Sequence, residues 1–369
     1  MTLPINGANI KRVLIFSLGS LGDTAVALPC FHQIERVFPN AQRRLLSNYP
    51  VHSKAPAAYS VLNNSGLIDG HIPYPPAMRH PSELLAVRRE IRRWRPQVLV
   101  YLAPRLRLRD VVRDVIFFHL CGVRHVIGAP FSRDGRSHRL DAVSGIYEAE
   151  ASRLARNISV LGAINLKDGA NWDLGLTPQE HAIAASALLP LGSRQLIGCS
   201  IGTKVQAKDW GANNWRYVLQ KLAEILPDHG LVLLGASEER AISDLVATSW
   251  EGRSVNLCGD ISPRESAAVL ARVQLFLGHD SGPMHLAAAV RTRCVVVFSA
   301  RNRPAVWFPR GDDHEILYHR TECWGCGLDT CIKEQKKCLS AIPVVAVVEA
   351  AQRSLAKYNG TSRPIVFVG

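Results

Sequence analysis

Two α/β domains, each built on a doubly wound parallel sheet, are what this sequence predicts, on three observations. Short buried-strand patterns alternate with helical ones. That alternation runs twice, and a composition shift around residues 169–178 separates the two runs. A length of 369 residues gives each domain enough chain to bury its own core.

In the first run, RVLIFS from Arg12 reads as a buried strand, and the apolar spacing from Thr24 to Val37 as the helix after it. RRLLSN is a strand, SELLAVRREIRRW a helix, QVLVYLA a strand, RDVVRDVIFFHLCG a helix and RHVIGA a strand. The polar stretch Phe131 to Ser144 reads as a mobile loop, with a helix from Tyr147 to Leu161 after it. In the second run, LIGCSIG, GLVLLGA, SVNLCG, QLFLGHD and CVVVFSA read as five short buried strands. The helical spacing of PVVAVVEAAQRSLAKY closes the chain.

A hydrophobic content of 47% with 20% charged residues describes a globular chain and excludes pervasive disorder. The N-terminus lacks a secretory pattern, and no run of about 18 apolar residues occurs, so a cytoplasmic protein is expected. Nine cysteines in that compartment point to thiols or metal ligands, and Cys30, Cys121, Cys199, Cys258 and Cys294 read as core. A net charge of +13 favours anionic partners without choosing among them.

Open parallel sheets bind ligands at the carboxyl ends of their strands, so the loops there carry the candidates. In SLGSLGDTAVALP, Gly19 and Gly22 allow a tight turn and Asp23 falls at the start of the helix, in the crevice or as a helix cap. LFLGHDSGPMHLAAA places Asp280, Ser281 and Gly282 between a strand and a helix, where free N–H groups and the helix dipole favour phosphate. On the alternative reading, Ser281 only caps the helix and His285 is a core histidine. CSIGTKVQAKDWGANNW brings Thr203, Lys204 and Lys208 to the same edge, with Trp210 and Trp215 packing beneath. Lys204 suits a solvated surface and Lys208 a phosphate.

Together these motifs resemble glycosyltransferase family 9, the heptosyltransferases of lipopolysaccharide core assembly. DSGPMHLAAA is similar to the family's D-[ST]-G-x-x-H-x-A-A signature, supported in order and spacing by SLGSLGDTAVALP and AKDW, and the resemblance covers nearly the whole chain. The sequence departs from it in having GANNW after AKDW, where a proline commonly follows the tryptophan. The resemblance implies a GT-B fold, two facing Rossmann-like domains with a cleft between them. Residues 1–170 would bind the acceptor, 171–345 the nucleotide sugar, and 346–369 would form a helix and tail returning to the first domain. It also implies Asp23 as general base, Lys208 as the phosphate-binding lysine, and Ser281 and Gly282 as the diphosphate-binding backbone.

The expected reaction is inverting transfer of a sugar, ADP-heptose being one donor, to a hydroxyl of a lipid-linked glycan. No catalytic cofactor is required, since Lys208 and the helix N-terminus meet the leaving diphosphate. Thr203, Gly235, Glu239, Asp280 and His285 complete the donor set, the ribose lying near GASEER. Gly22, Arg105, Arg109, Arg133 and Arg136 form the acceptor set, with arginines suited to phosphates and acidic sugars. Cys323, Cys326, Cys331 and Cys338, spaced C-x2-C-x4-C-x6-C, are candidate ligands of one structural zinc or the packing of a loop. Arginine-rich RREIRRWR and RLRLRD point to peripheral contact with an anionic membrane surface, and no nucleic-acid partner is expected. A sugar-nucleotide epimerase and a non-catalytic binder of anionic glycans are the competing classes.

Overall fold

The computed structural model describes residues 7–49, 57–75 and 81–356. The chain divides into two units, Met1–Gly175 and Leu176–Gly369.

The first unit runs β1 (Arg12–Phe16), α1 (Leu21–Val37), β2 (Gln42–Asn48), α2 (Ala58–Leu62), β3 (Gly70–Tyr74), α3 (Pro81–Trp94), β4 (Val98–Tyr101), α4 (Leu108–Leu120), β5 (His125–Ile127), α5 (Arg133–Arg136) and α6 (Glu150–Asn157). Its sheet is parallel, ordered β3-β2-β1-β4-β5. Side chains alternate across a strand. Leu14 and Phe16 of β1 therefore join Val87, Ile91 and Trp94 of α3 and Phe118 of α4 in one core layer. The helices α2 and α6 each pack on α1.

The second unit runs α7 (Pro178–Leu188), β6 (Leu196–Ser200), α8 (Ala212–Ile225), β7 (Gly230–Leu233), α9 (Arg240–Ala247), β8 (Ser254–Asn256), α10 (Pro263–Leu270), β9 (Leu275–His279), α11 (Gly282–Ala289), β10 (Arg293–Phe298), β11 (Glu315–Tyr318), α12 (Lys337–Ser340) and α13 (Val344–Ala356). Its parallel sheet is ordered β11-β10-β9-β6-β7-β8. Numbered within the unit, that is the 3-2-1-4-5-6 order of the dinucleotide-binding fold, read from the other edge. Its topological switch point lies between β6 and β9. The predicted closing helix, α13, buries Val347, Val348, Ala350 and Ala351 in this unit's core, packed on α8 and β9 to β11. Residues 357–369 of the predicted tail lie outside the described residues.

Two strands lack a sequence signature. β3 carries Pro73, which donates no hydrogen bond, and the sheet accepts it because β3 is an edge strand. β11, at the edge of the other sheet, has only four residues. The polar stretch after Phe131, predicted as a mobile loop, instead folds around ion pairs. Asp134 binds Arg139 and Arg156, Glu148 binds Arg156, and buried Glu150 binds both His138 (2.7 Å) and Arg153. Asp134, His138 and Arg139 of the stretch are thus held in ion pairs.

A buried bidentate pair ties α10 to α7: Arg264 Nε and Nη2 lie 2.5 and 3.0 Å from the two carboxylate oxygens of Glu180. Glu180 also accepts the N–H of Thr177, closing the capping box of α7. Arg264→Met strands a buried carboxylate and is expected to cost about 3–5 kcal/mol in urea unfolding. Arg264→Met with Glu180→Gln should recover part of that loss, and additive losses would contradict the coupling.

Candidate active site

The second unit's site is built on His279, the last residue of β9. This imidazole is fully buried, and its Nε2 accepts two hydrogen bonds, from the Trp210 backbone N–H at 3.1 Å and Trp215 Nε1–H at 3.0 Å. A nitrogen that accepts carries no proton, and burial pushes the pKa of His279 down to about 4. The neutral ring thereby pins the loop after β6 to the end of β9, and Trp210 and Trp215 stack edge-on beneath it.

Pinned there, Lys208 points its ammonium at Asp280, 2.8 Å from Oδ2 and 3.2 Å from the backbone oxygen. Asp280 is 3% exposed and Lys208 17%, so the pair is largely desolvated; Asn302 Nδ2 donates to the same Oδ2 at 2.9 Å. Lys204 is exposed. The cysteine-rich segment braces this loop from outside: Ala207 N–H donates to Asp329 O, Cys331 N–H to Gln206 Oε1, and Lys336 Nζ to Asp209 O.

Ser281 occupies the N-cap of α11 with extended backbone, yet its hydroxyl makes no capping bond and has no partner among the described residues. It is not a simple helix cap. The first-turn N–H groups of an α-helix lack intrahelical carbonyls, and Pro283 follows at the start, so the end of α11 offers Ser281 Oγ, backbone N–H groups and the Lys208 ammonium together. His285, one turn on, is buried edge-on to Trp307, and burial lowers its pKa to about 4.

Thr203 follows β6 and bonds with the backbone of Val205. Gly235 follows the neighbouring β7, and the Glu239 carboxylate lies against both strand ends. It accepts the Ala236 N–H at 2.8 Å, and a Cβ at Gly202 would sit 1.9 Å from its carboxyl carbon. The donor residues predicted from sequence therefore lie around the ends of β6, β7 and β9.

In the first unit, Gly22 and Asp23 lie in the first turn of α1. Asp23 Oδ2 accepts the Ser20 backbone N–H at 2.7 Å and the Ser20 hydroxyl at 3.1 Å, and Gly19 donates to Asn48 Oδ1. Gly19 has φ +140°, and a Cβ there would lie 2.5 Å from Asp23 Cβ, so glycine is required where the turn meets the carboxylate. Arg105 binds Asp114 at 2.8 Å, alongside the Tyr101 hydroxyl, and Arg136 holds the backbone of Pro130. Arg109 and Arg133 are exposed.

The four cysteines proposed as zinc ligands lie in and beside this bracing segment. Among the described residues no group of three or more His, Cys, Asp or Glu is arranged to hold a metal. Cys331 Sγ accepts the Lys336 N–H, Cys338 meets Ser299 and Cys323 meets Thr321. Sequence reasoning also passed over His279 and Asn302, because nothing in a strand end or a loop asparagine shows what it will face.

The sequence pattern described as glycosyltransferase family 9 (heptosyltransferase) matches residues 147–337, more than half of the chain. The chain belongs to glycosyltransferase family 9. A curated relative, lipooligosaccharide heptosyltransferase 2 of Campylobacter jejuni serotype O:2, is 22% identical over 175 residues, which cover 46% of this chain and 53% of the relative. The chain thus spans about half the length of the curated relatives it matches. Among solved structures, a family 9 glycosyl transferase of Veillonella parvula is 19% identical with a TM-score of 0.73, over 97% of this chain and all of that one. The E. coli ADP-heptose lps heptosyltransferase II is 14% identical with a TM-score of 0.66, over 95% of this chain and all of that one. These likenesses bear out the α/β, GT-B class of fold.

Neutral buried histidines give this family 9 chain an acid limit. An unfolded histidine takes up a proton near pH 6.5, while His279 and His285 resist until about 4. Stability is therefore complete above pH 6.5 and falls as the pH drops towards 4, by up to about 1.4 kcal/mol per pH unit for each ring. Urea midpoints at pH 7 and pH 5 check this; His285→Phe should flatten the slope, and equal midpoints for the parent protein would contradict it.

Proposed function

We propose that this protein is an inverting glycosyltransferase that moves a sugar, heptose from ADP-heptose, to a hydroxyl of a lipopolysaccharide-core glycan. The observation that carries the reading is the end of α11, where Ser281 Oγ, beside Lys208, has no partner among the described residues. The E. coli structure named for ADP-heptose supports the choice of donor.

The diphosphate binds the N–H groups of α11 and the Ser281 hydroxyl, where the helix dipole favours its charge. Among the described residues both partners of the Lys208 ammonium lie on Asp280, and an ammonium has three N–H donors, which leaves one for a phosphate oxygen. Glu239, beside Gly202 and Gly235, takes a ribose hydroxyl. Asp23 removes the acceptor proton as the acceptor oxygen attacks the anomeric carbon. The bond from that carbon to the diphosphate breaks, and its electron pair leaves with the nucleoside diphosphate. Charge gathers on the leaving oxygen, where the α11 N–H groups and Lys208 stabilise it without a metal.

In the first unit Arg109 and Arg133, both exposed, meet acidic groups of the acceptor, while Arg105 and Arg136 shape the surface around them. Residues 1–170 thus serve the acceptor and 171–345 the donor. Among the described residues no helix is long and apolar enough to cross a membrane, and we place the protein on the cytoplasmic side, at the anionic surface that holds the lipid-linked acceptor.

Asp23→Asn tests the base. Asparagine keeps an acceptor oxygen for Ser20, so the turn and donor affinity should persist while transfer slows by at least about a hundredfold. Mass analysis of the acceptor after incubation with ADP-heptose reads the rate. An active, well-folded Asn variant would remove Asp23 from that role, and an epimerised free donor with no glycosylated product would overturn the reaction.

A further inference from the structure

Helix α4 carries two apolar faces. Its inward face, Val111, Val115 and Phe118, is buried in the first unit. On the outside, Leu108, Val112, Ile116 and Leu120 are 45%, 38%, 54% and 60% exposed. Residues four apart in a helix lie on one side, so these four form a continuous stripe, about 18 Å from end to end. Leu106, just before the helix, extends it and is almost wholly exposed. A soluble surface helix ordinarily keeps that side polar.

Positive charge surrounds the stripe. Exposed Arg107, Arg109 and Arg113 flank it on the chain segment itself, and Arg88 of α3 reaches the Leu120 carbonyl at 3.4 Å. From Pro81 to Arg124 the sequence has ten arginines against four carboxylates. Two of those carboxylates are neutralised on α4: Asp114 is buried against Arg105 and Arg113, and Asp110 lies beside Arg109 and Arg113. An apolar stripe between guanidinium groups is complementary to a bilayer surface, with acyl chains to receive the aliphatic groups and anionic headgroups to meet the arginines.

We infer that the outer face of α4, with the arginines of α3, is the surface by which this protein docks on an anionic bilayer. The inference rests on the proposal of a lipid-linked acceptor for its purpose, but not for its test. Docking of this kind inserts side chains only to headgroup depth and is reversible, as befits an enzyme that visits many acceptors.

Co-sedimentation of the full chain with vesicles of phosphatidylcholine alone, or mixed with phosphatidylglycerol, tests the assignment without substrate. Binding should require the anionic lipid and weaken at high salt, since screening shortens the reach of surface charge. Leu108→Ser with Ile116→Ser, both at exposed positions, should weaken it by about tenfold or more, because aliphatic insertion is lost. Arg92→Gln should lower it less, and Tyr217→Ser, at an exposed position on α8, should leave it unchanged. Each variant's thermal shift with ADP reports folding and the donor site separately, so a failed docking surface is distinguishable from a failed enzyme assignment. Unaltered binding by the double serine variant, equal binding to neutral vesicles, or a dimer in ultracentrifugation that the double variant abolishes would overturn the inference.

Discussion

A neutral imidazole at the end of β9 governs the arrangement of the strand-end loops in the second unit. His279 Nε2 accepts both the Trp210 amide and the Trp215 indole, and it can do so only while unprotonated. That double acceptance fixes the loop after β6 against the loop after β9 and brings Lys208 onto Asp280. Without the pin, a buried carboxylate would face a mobile ammonium, and the desolvation cost of Asp280 would go unmet. The chain invests further in the same place, with Asn302 on Asp280 and the 329–336 segment strapped over the loop.

The cysteine-rich stretch braces the Lys208 loop through groups other than its thiols. Four thiols within sixteen residues suggest a tetrahedral ion. In the fold their segment acts through its backbone and through Lys336, which holds positive φ to reach Asp209 O. Its hydrogen bonds rigidify the loop that carries Lys208.

Much of the architecture was legible because parallel strands buried on both faces read as unbroken apolar runs, and LIGCS, LFLGH and RCVVVF are of that kind. GHIPY was hidden by its proline, which an edge strand admits, and EILY by its four-residue length. The α11 site was legible for a related reason: a strand, a short polar turn and a run of small residues announce a helix N-terminus at a strand end. Pairing across strands was not. Nothing in AKDW identifies Asp280 as the partner of its lysine, since it is sheet order, with β6 beside β9, that brings together two residues 72 positions apart. Likewise the arginines of the first unit are indistinguishable in sequence, although Arg105 is committed to buried Asp114 and Arg109 is open to solvent.

The central claim is that the N-terminus of α11 is a diphosphate site, with the Ser281 hydroxyl reserved for the ligand. Calorimetric titration of ADP and of adenosine into the parent protein and Ser281→Ala tests it most directly. The account predicts that the variant binds ADP about tenfold more weakly, the scale of one hydrogen bond to a charged group, while adenosine affinity is unchanged. Equal losses for the two ligands, or none for ADP, would contradict it.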